Sequence, residues 1–240
     1  MRKLSFGGRM TGSARESAQP RRVIPIEDTP LYLEDLGLTV ETIHRSIEIG
    51  DTARRRVQHR VYPSSYPGMV MWAETLAALR RELLKLRQGW RIGKSSNYET
   101  VYSEERGIAF AVVAGDSYTG IQGARDPKLA RKRGRKTTER INRNARYIQV
   151  PLPGFETEED ELAAPDEVCQ TWFIVLRPTS KEIRIEVSYP DSIGDHGYVS
   201  GWDKRLLVTP IPISGAVAPI AIDEDQDDDG EDLVGRPPKD

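Results

Sequence analysis

Ten lysines and arginines fall between Arg125 and Arg146, against two acids, Asp126 and Glu139. Charge this dense and of one sign repels itself unless counterions or a polyanion neutralise it. The chemistry on offer is electrostatic. Arg125, Lys128, Arg131, Lys132, Arg133, Arg135, Lys136, Arg140 and Arg143 are candidate contacts to the phosphates of DNA or RNA. Arg54, Arg55 and Arg56 make a second, smaller basic run that would support them. Neutralising about five phosphates would give a log–log salt slope near −4 to −5 through counterion release. The competing reading has the segment pair with the protein's own acids, either the seven carboxylates of Glu156–Glu167 or the C-terminal tail.

The centre of this stretch, Arg131-Lys132-Arg133-Gly134-Arg135-Lys136, resembles the core of an AT-hook. The resemblance implies a flat Arg-Gly-Arg unit that enters a narrow minor groove, where negative potential is concentrated. Lys132 and Lys136 stand where that motif has prolines.

Residues suited to bond-making are fewer. His196 lies in Ser192-Ile193-Gly194-Asp195-His196-Gly197, where a histidine beside a carboxylate suits a general base. With Arg205 or a lysine to stabilise a phosphate, His196, beside Asp195, would make a small metal-independent ribonuclease, since helices followed by an antiparallel sheet resemble the barnase arrangement. The plainer expectation for this loop is a turn. Asp116 with Glu99 or Glu186 is a carboxylate set that would suit Mg²⁺, but no Glu-x-Lys follows Asp116 as a restriction-type nuclease core requires. The sequence has no HExxH, no cysteine–histidine cluster, no Walker loop and no dinucleotide fingerprint, so neither metal nor cofactor is expected. The single cysteine, Cys169, precedes a strand and reads as a buried thiol.

The charge is unevenly placed. Asp223–Asp240 holds nine acids and two bases, and the preceding 222 residues hold 33 bases and 28 acids. No apolar run approaches the roughly 18 residues of a membrane span. With no apolar leader and no disulfide, the expected location is the cytoplasm, without membrane contact.

The elements that must position these residues follow from periodicity. Residues 1–29 are rich in Gly, Ser, Arg and Pro and read as a disordered basic arm. Residues 31–60 read as two helical pieces, with Thr39 capping the first, Gly50 ending it and Asp51 capping the second. Leu76, Leu79, Leu83 and Leu86, with Trp72 and Ala73, make the apolar stripe of a helix over 69–88. From Tyr98 the period becomes that of strands, with hairpins at 103–107 and 177–181. Ala109–Val113 is continuously apolar and reads as a central strand. A helix is expected after Lys136 and a strand at Tyr147–Val150. Ile183, Ile185 and Val187 alternate with Glu182, Arg184 and Glu186, which predicts a wet face. Arg205–Thr209 closes the sheet, and Pro210 and Pro212 are expected to lead the chain out of it. Trp90, Trp172 and Trp202 read as core or sheet-edge anchors.

The fold class is α+β, with N-terminal helices and then a mostly antiparallel sheet of about five or six strands between disordered ends. The domain is expected over 30–214, helical over 31–90 and sheet over 98–210, with an acidic tail over 215–240. Gly89-Trp90, the strand and loop Ile108–Gly120, the basic Pro127–Asn144 and Trp202–Leu207 are similar to segments of uncharacterised proteins encoded on bacterial phages, plasmids and integrated mobile elements. That resemblance spans about 70–210 and implies a mobile-element setting but no activity. The expected function is therefore non-catalytic binding of DNA or RNA through the basic segment. One alternative is an inhibitor that blocks a host nucleic-acid-handling or defence protein through acidic surfaces, and the other is the ribonuclease.

Overall fold

The structure is a computed structural model that describes residues 22–57, 60–123, 125–149, 163–194 and 196–213. The first 21 residues, the acidic tail, His59, Asp195 and most of Glu156–Glu167 lie outside the described residues.

The order is β1 (Arg22–Ile24), α1 (Thr29–Asp35), α2 (Val40–Arg56), α3 (Tyr66–Lys85), β2 (Trp90–Gly93), β3 (Thr100–Ser103) and β4 (Ile108–Ala114). Then come α4 (Arg135–Gln149), α5 (Pro165–Val168), β5 (Gln170–Pro178), β6 (Glu182–Ile193) and β7 (Val199–Pro212). The seven strands form one sheet in the order β1-β7-β6-β5-β4-β3-β2. Only β1–β7 and β4–β5 pair in parallel. The protein is thus α+β, with helices first and a mostly antiparallel mixed sheet after them. The strand count exceeds the expectation because two strands lie where none was expected: β1, three residues long, in the stretch read as a disordered arm, and β2 just after α3.

Two layers cover the sheet. Phe110, Val112, Ile174, Leu176, Ile185, Val187, Leu206 and Val208 meet Ile43, Ile47, Met71, Leu76, Leu79 and Leu83 from α2 and α3. The alternate residues Ala111, Val113, Phe173, Val175 and Trp202 meet Leu129 and Ile141 on the other face. Period-two alternation in β4 and β5 therefore feeds two cores, which is why both strands are apolar throughout. Trp90, Trp172 and Trp202 are all buried.

Thr39 caps α2 as its residue type predicts, its Oγ1 accepting the Thr42 N–H at 3.1 Å. Gly50 does not end that helix. A Cβ there would lie 2.1 Å from Thr75 Oγ1 and 2.7 Å from the Met71 carbonyl oxygen, so this glycine lets α2 and α3 approach closely. Asp51 is not a cap either; it accepts from Arg54 and Arg55 one turn on. In α3 the buried stripe is Met71, Thr75, Leu76, Ala78, Leu79 and Leu83. Leu86 and Trp72 are exposed instead, the Trp72 indole N–H donating to the Val112 carbonyl at 3.1 Å.

Three further expectations are corrected. Tyr147–Gln149 is the last turn of α4 rather than a strand. β7 continues through Pro210 and Pro212, because β1 pairs only with Lys204–Leu206 and leaves the later part of that flank without a ladder partner. The face of β6 read as wet is buried at Glu186 and Ser188 and half-buried at Glu182 and Arg184. Its cover is described below.

Replacing Gly50 tests the close approach. Alanine ordinarily favours a helix by about 1 kcal/mol over glycine. Here Gly50→Ala should destabilise by about 1–3 kcal/mol, as overpacking does, read from the urea midpoint. A stabilised variant would contradict the packing described.

Candidate nucleic-acid interface

Glu186 and Arg205 lie on adjacent strands β6 and β7, on the sheet face away from α2 and α3, and their side chains are 0 % and 2 % exposed. Arg205 Nη2 donates to Glu186 Oε2 at 2.6 Å, and Nε donates to Oε1 at 3.3 Å. Ser188 Oγ donates to Oε1 at 2.8 Å, and the Gly120 N–H donates to Oε2 at 2.9 Å. Arg205 also donates to the Ile121 carbonyl at 3.3 Å and to Asp126 Oδ1 at 3.5 Å. A buried ion pair is tolerable only when its remaining donors and acceptors are filled. Here the segment 120–126 fills them. Gly120 supplies the turn with φ +69°, a conformation side chains rarely adopt.

The rest of 115–134 is stitched down by backbone groups. The Asp116 N–H donates to the Lys128 carbonyl, and the Ala130 N–H to the Ala114 carbonyl. The Trp202 indole N–H donates to the Pro127 carbonyl at 3.0 Å, and Leu129 is buried beneath. Arg184 Nη1 holds the Ser117 carbonyl at 3.1 Å. Farther on, the Arg133 N–H donates to the Gly197 carbonyl at 2.7 Å.

This segment presents Arg125, Lys128, Arg131, Lys132 and Arg135 as exposed side chains. The first four form no ion pair with any described residue. Arg135 and Lys136 both reach Glu139 within α4, at 3.6 and 2.9 Å. Tyr118 is 37 % exposed, with the Arg125 guanidinium carbon over its ring, 4.7 Å from the centroid.

Other predicted contacts sit elsewhere. Arg140 is 3 % exposed and paired with Asp166 at 2.9 Å, its guanidinium over the Tyr98 ring at 4.6 Å. It is therefore a structural cation, not a surface one. Ser95 Oγ donates to the other Asp166 oxygen, so this buried carboxylate too is satisfied. Arg143 donates to the Glu167 carbonyl. Arg133 is half-buried with its Nε unpartnered, and burial lowers the pKa of its guanidinium. The AT-hook-like unit is not a flat strand: the Gly134 carbonyl accepts from Thr137 and Thr138, and Arg135 begins α4. Arg54 and Arg55 pair with Asp51, and Arg56 is exposed. All three belong to α2, across the sheet from α4, so the two basic runs do not form one surface.

Arg205 is not available to the ribonuclease arrangement. His196 is exposed in a turn closed by Gly194 and Tyr198, whereas Arg205 is locked to Glu186 beneath the loop and cannot reach a phosphate. Of the carboxylates considered for Mg²⁺, Glu99 pairs with Arg80, Glu186 pairs with Arg205, and Asp116 accepts the Tyr118 N–H. Among the described residues no group of three metal-ligating side chains gathers. Cys169 is buried, and desolvation pushes its thiol up to about 11. No described helix is long and apolar enough to cross a membrane.

Sequence reasoning missed Tyr118 and Asn144. Asn144 Nδ2 donates to the Thr171 and Pro190 carbonyls at 2.8 and 3.0 Å, and its Oδ1 accepts the Thr171 N–H at 2.9 Å. Its amide thus fills the gap where β5 and β6 have stopped pairing, and it fixes α4 to the sheet. Tyr118 stands in the loop that ends the Ile108–Gly120 stretch, but nothing in the sequence placed Arg125 against it. Compared with family models, curated proteins and solved structures, the chain finds no match to any of the three.

Two outcomes check this site. Arg205→Met, which leaves Glu186 buried without its cation, should cost roughly 3–5 kcal/mol by urea unfolding. The double variant Glu186→Leu/Arg205→Met should cost less than the single one; a cost equal to the two singles summed would show that the pair is not coupled. For Cys169, a folded pKa raised from 9.0 to about 11 favours the neutral thiol. That contribution is complete below about pH 9 and lost as pH rises towards 11. The native protein should accordingly resist Ellman's reagent at pH 8 and react once unfolded. Rapid native reaction would contradict the burial.

Proposed function

We propose that this is a nucleic-acid-associated protein of a phage or mobile element, which binds DNA or RNA through the exposed face of 118–136 without catalysis. The observation that supports this best is the run of four cations, Arg125, Lys128, Arg131 and Lys132, on a segment fixed to the sheet, none paired with a described carboxylate. Cations held in place and left unpaired attract polyanions at low entropic cost. The mobile-element setting is supported by the sequence resemblance alone.

Phosphates would lie along this surface, with backbone contacts setting orientation and carrying no sequence information. Arg140 and Arg205 would act beneath it as the charges that hold α4 and the loop in position.

Fluorescence anisotropy with a labelled oligonucleotide tests the reading. Affinity should fall steeply from 50 to 300 mM salt, with a log–log slope of about −3 to −4 for four contacts. The variant Lys128→Glu/Arg131→Glu/Lys132→Glu should remove binding and leave the unfolding midpoint nearly unchanged. Binding indifferent to salt and to these substitutions would overturn it.

A further inference from the structure

Tyr118 and Arg125 differ from the cations around them. Tyr118 is a large exposed aromatic, and a guanidinium already lies over its ring at 4.7 Å. Ile121, 36 % exposed, is the next apolar side chain along the same loop. The ground under them is rigid. The Tyr118 N–H is held by Asp116 Oδ1 at 2.9 Å, Ser117 by Arg184, Gly120 by Glu186 and Ile121 by Arg205. A tyrosine needed only for packing would be covered. This one is displayed on an anchored loop against Arg125, with Lys128 exposed farther along the same segment, and neither cation forms an ion pair with a described residue.

A planar aromatic and a planar guanidinium both accept the face of a nucleobase, and neighbouring cations take the phosphates on either side. Bases within a duplex are stacked on each other and do not offer their faces, so this arrangement selects unpaired bases. The Arg-Gly-Arg unit that would have suited a duplex minor groove is folded into the start of α4.

We propose that Tyr118 and Arg125 form a base-stacking platform, and that the ligand of this surface is single-stranded nucleic acid. The inference rests on the nucleic-acid reading above and narrows it. A strand would lay a base on the Tyr118–Arg125 pair and run its phosphates past Lys128 towards Arg131 and Lys132.

The test compares the parent protein with Tyr118→Ala and Tyr118→Phe on oligo(dT), on oligo(U) and on a duplex of equal length. Tyr118→Ala should weaken binding to the single strands by about 5- to 150-fold, the range that loss of one stacked base gives. Tyr118→Phe keeps the ring and should bind within about twofold of the parent. Because stacking neutralises no phosphate, the salt slope of Tyr118→Ala should match the parent's, whereas Arg131→Ala should lower it by about 0.7. Duplex binding should be weaker than single-strand binding and insensitive to Tyr118→Ala. Oligo(dT) and oligo(U) separate a DNA ligand from an RNA one. An unchanged unfolding midpoint for Tyr118→Ala confirms that the loop is intact. Salt-dependent binding that ignores Tyr118→Ala would overturn the platform and leave the basic-surface reading standing. Absence of salt-dependent binding to all three oligonucleotides would overturn both.

Discussion

The pair Glu186–Arg205 constrains everything on the second face of the sheet. Two opposite charges about 4 Å apart attract by about 4 kcal/mol at an effective dielectric of 20, while desolvation costs several kcal/mol per ion. The attraction alone does not justify the burial. The complete set of partners does, and most of those outside the pair belong to 120–126: the Gly120 N–H, the Ile121 carbonyl and the Asp126 carboxylate. A loop that satisfies a buried ion pair cannot drift without exposing unpaired charge to a medium that solvates it poorly. The loop's outer surface is therefore displayed in a fixed arrangement, although no helix or strand falls among the described residues of 118–134.

The same logic holds α4 in place. Its buried anchors are Arg140 on Asp166, Asn144 on Thr171 and Pro190, and the single core aliphatic Ile141. An amphipathic helix normally gains its hold by burying an apolar stripe. This one uses hydrogen-bonded polar groups at the same spacing, Arg140 and Asn144 being one turn apart. A basic helix can thereby sit on a sheet with some of its charge turned inward and spent on structure. The density of Lys and Arg in a sequence thus overstates the positive surface: among the described residues of 125–134, Arg125, Lys128, Arg131 and Lys132 are the exposed cations without an ion pair to a described residue.

The parts of the fold that follow a repeating apolar pattern were legible. Thr39 as a cap, Leu76–Leu79–Leu83 as a core stripe, the 103–107 hairpin and Ala109–Val113 as a central strand all express local rules. What failed depended on distant partners. Gly50 is a helix stop by local rules and a contact point by tertiary ones, because only the structure brings Thr75 against it. Glu186 alternates with isoleucine and valine as a wet residue should, and nothing within β6 announces that residues 120–126 will cover it. In the site, the basic character of 125–136 was legible from composition. Which cations face solvent was not, since Arg140 and Arg143 differ from Arg131 only in what α4 packs against. Tyr118 became visible only when the loop closed Arg125 over its ring.

The central claim is that a polyanion meets the protein on the loop surface held by Glu186 and Arg205, and not on the α2 side of the sheet. Amide chemical-shift mapping during titration with a short oligo(dT) at low salt tests this most directly. The account predicts the largest shifts over Ser117–Lys136, reversal in about 0.5 M salt as the Debye length falls to a few ångströms, and little change over Arg54–Arg56. Shifts concentrated on α2 and α3, or none at all at a concentration where the oligonucleotide is in excess, would contradict it.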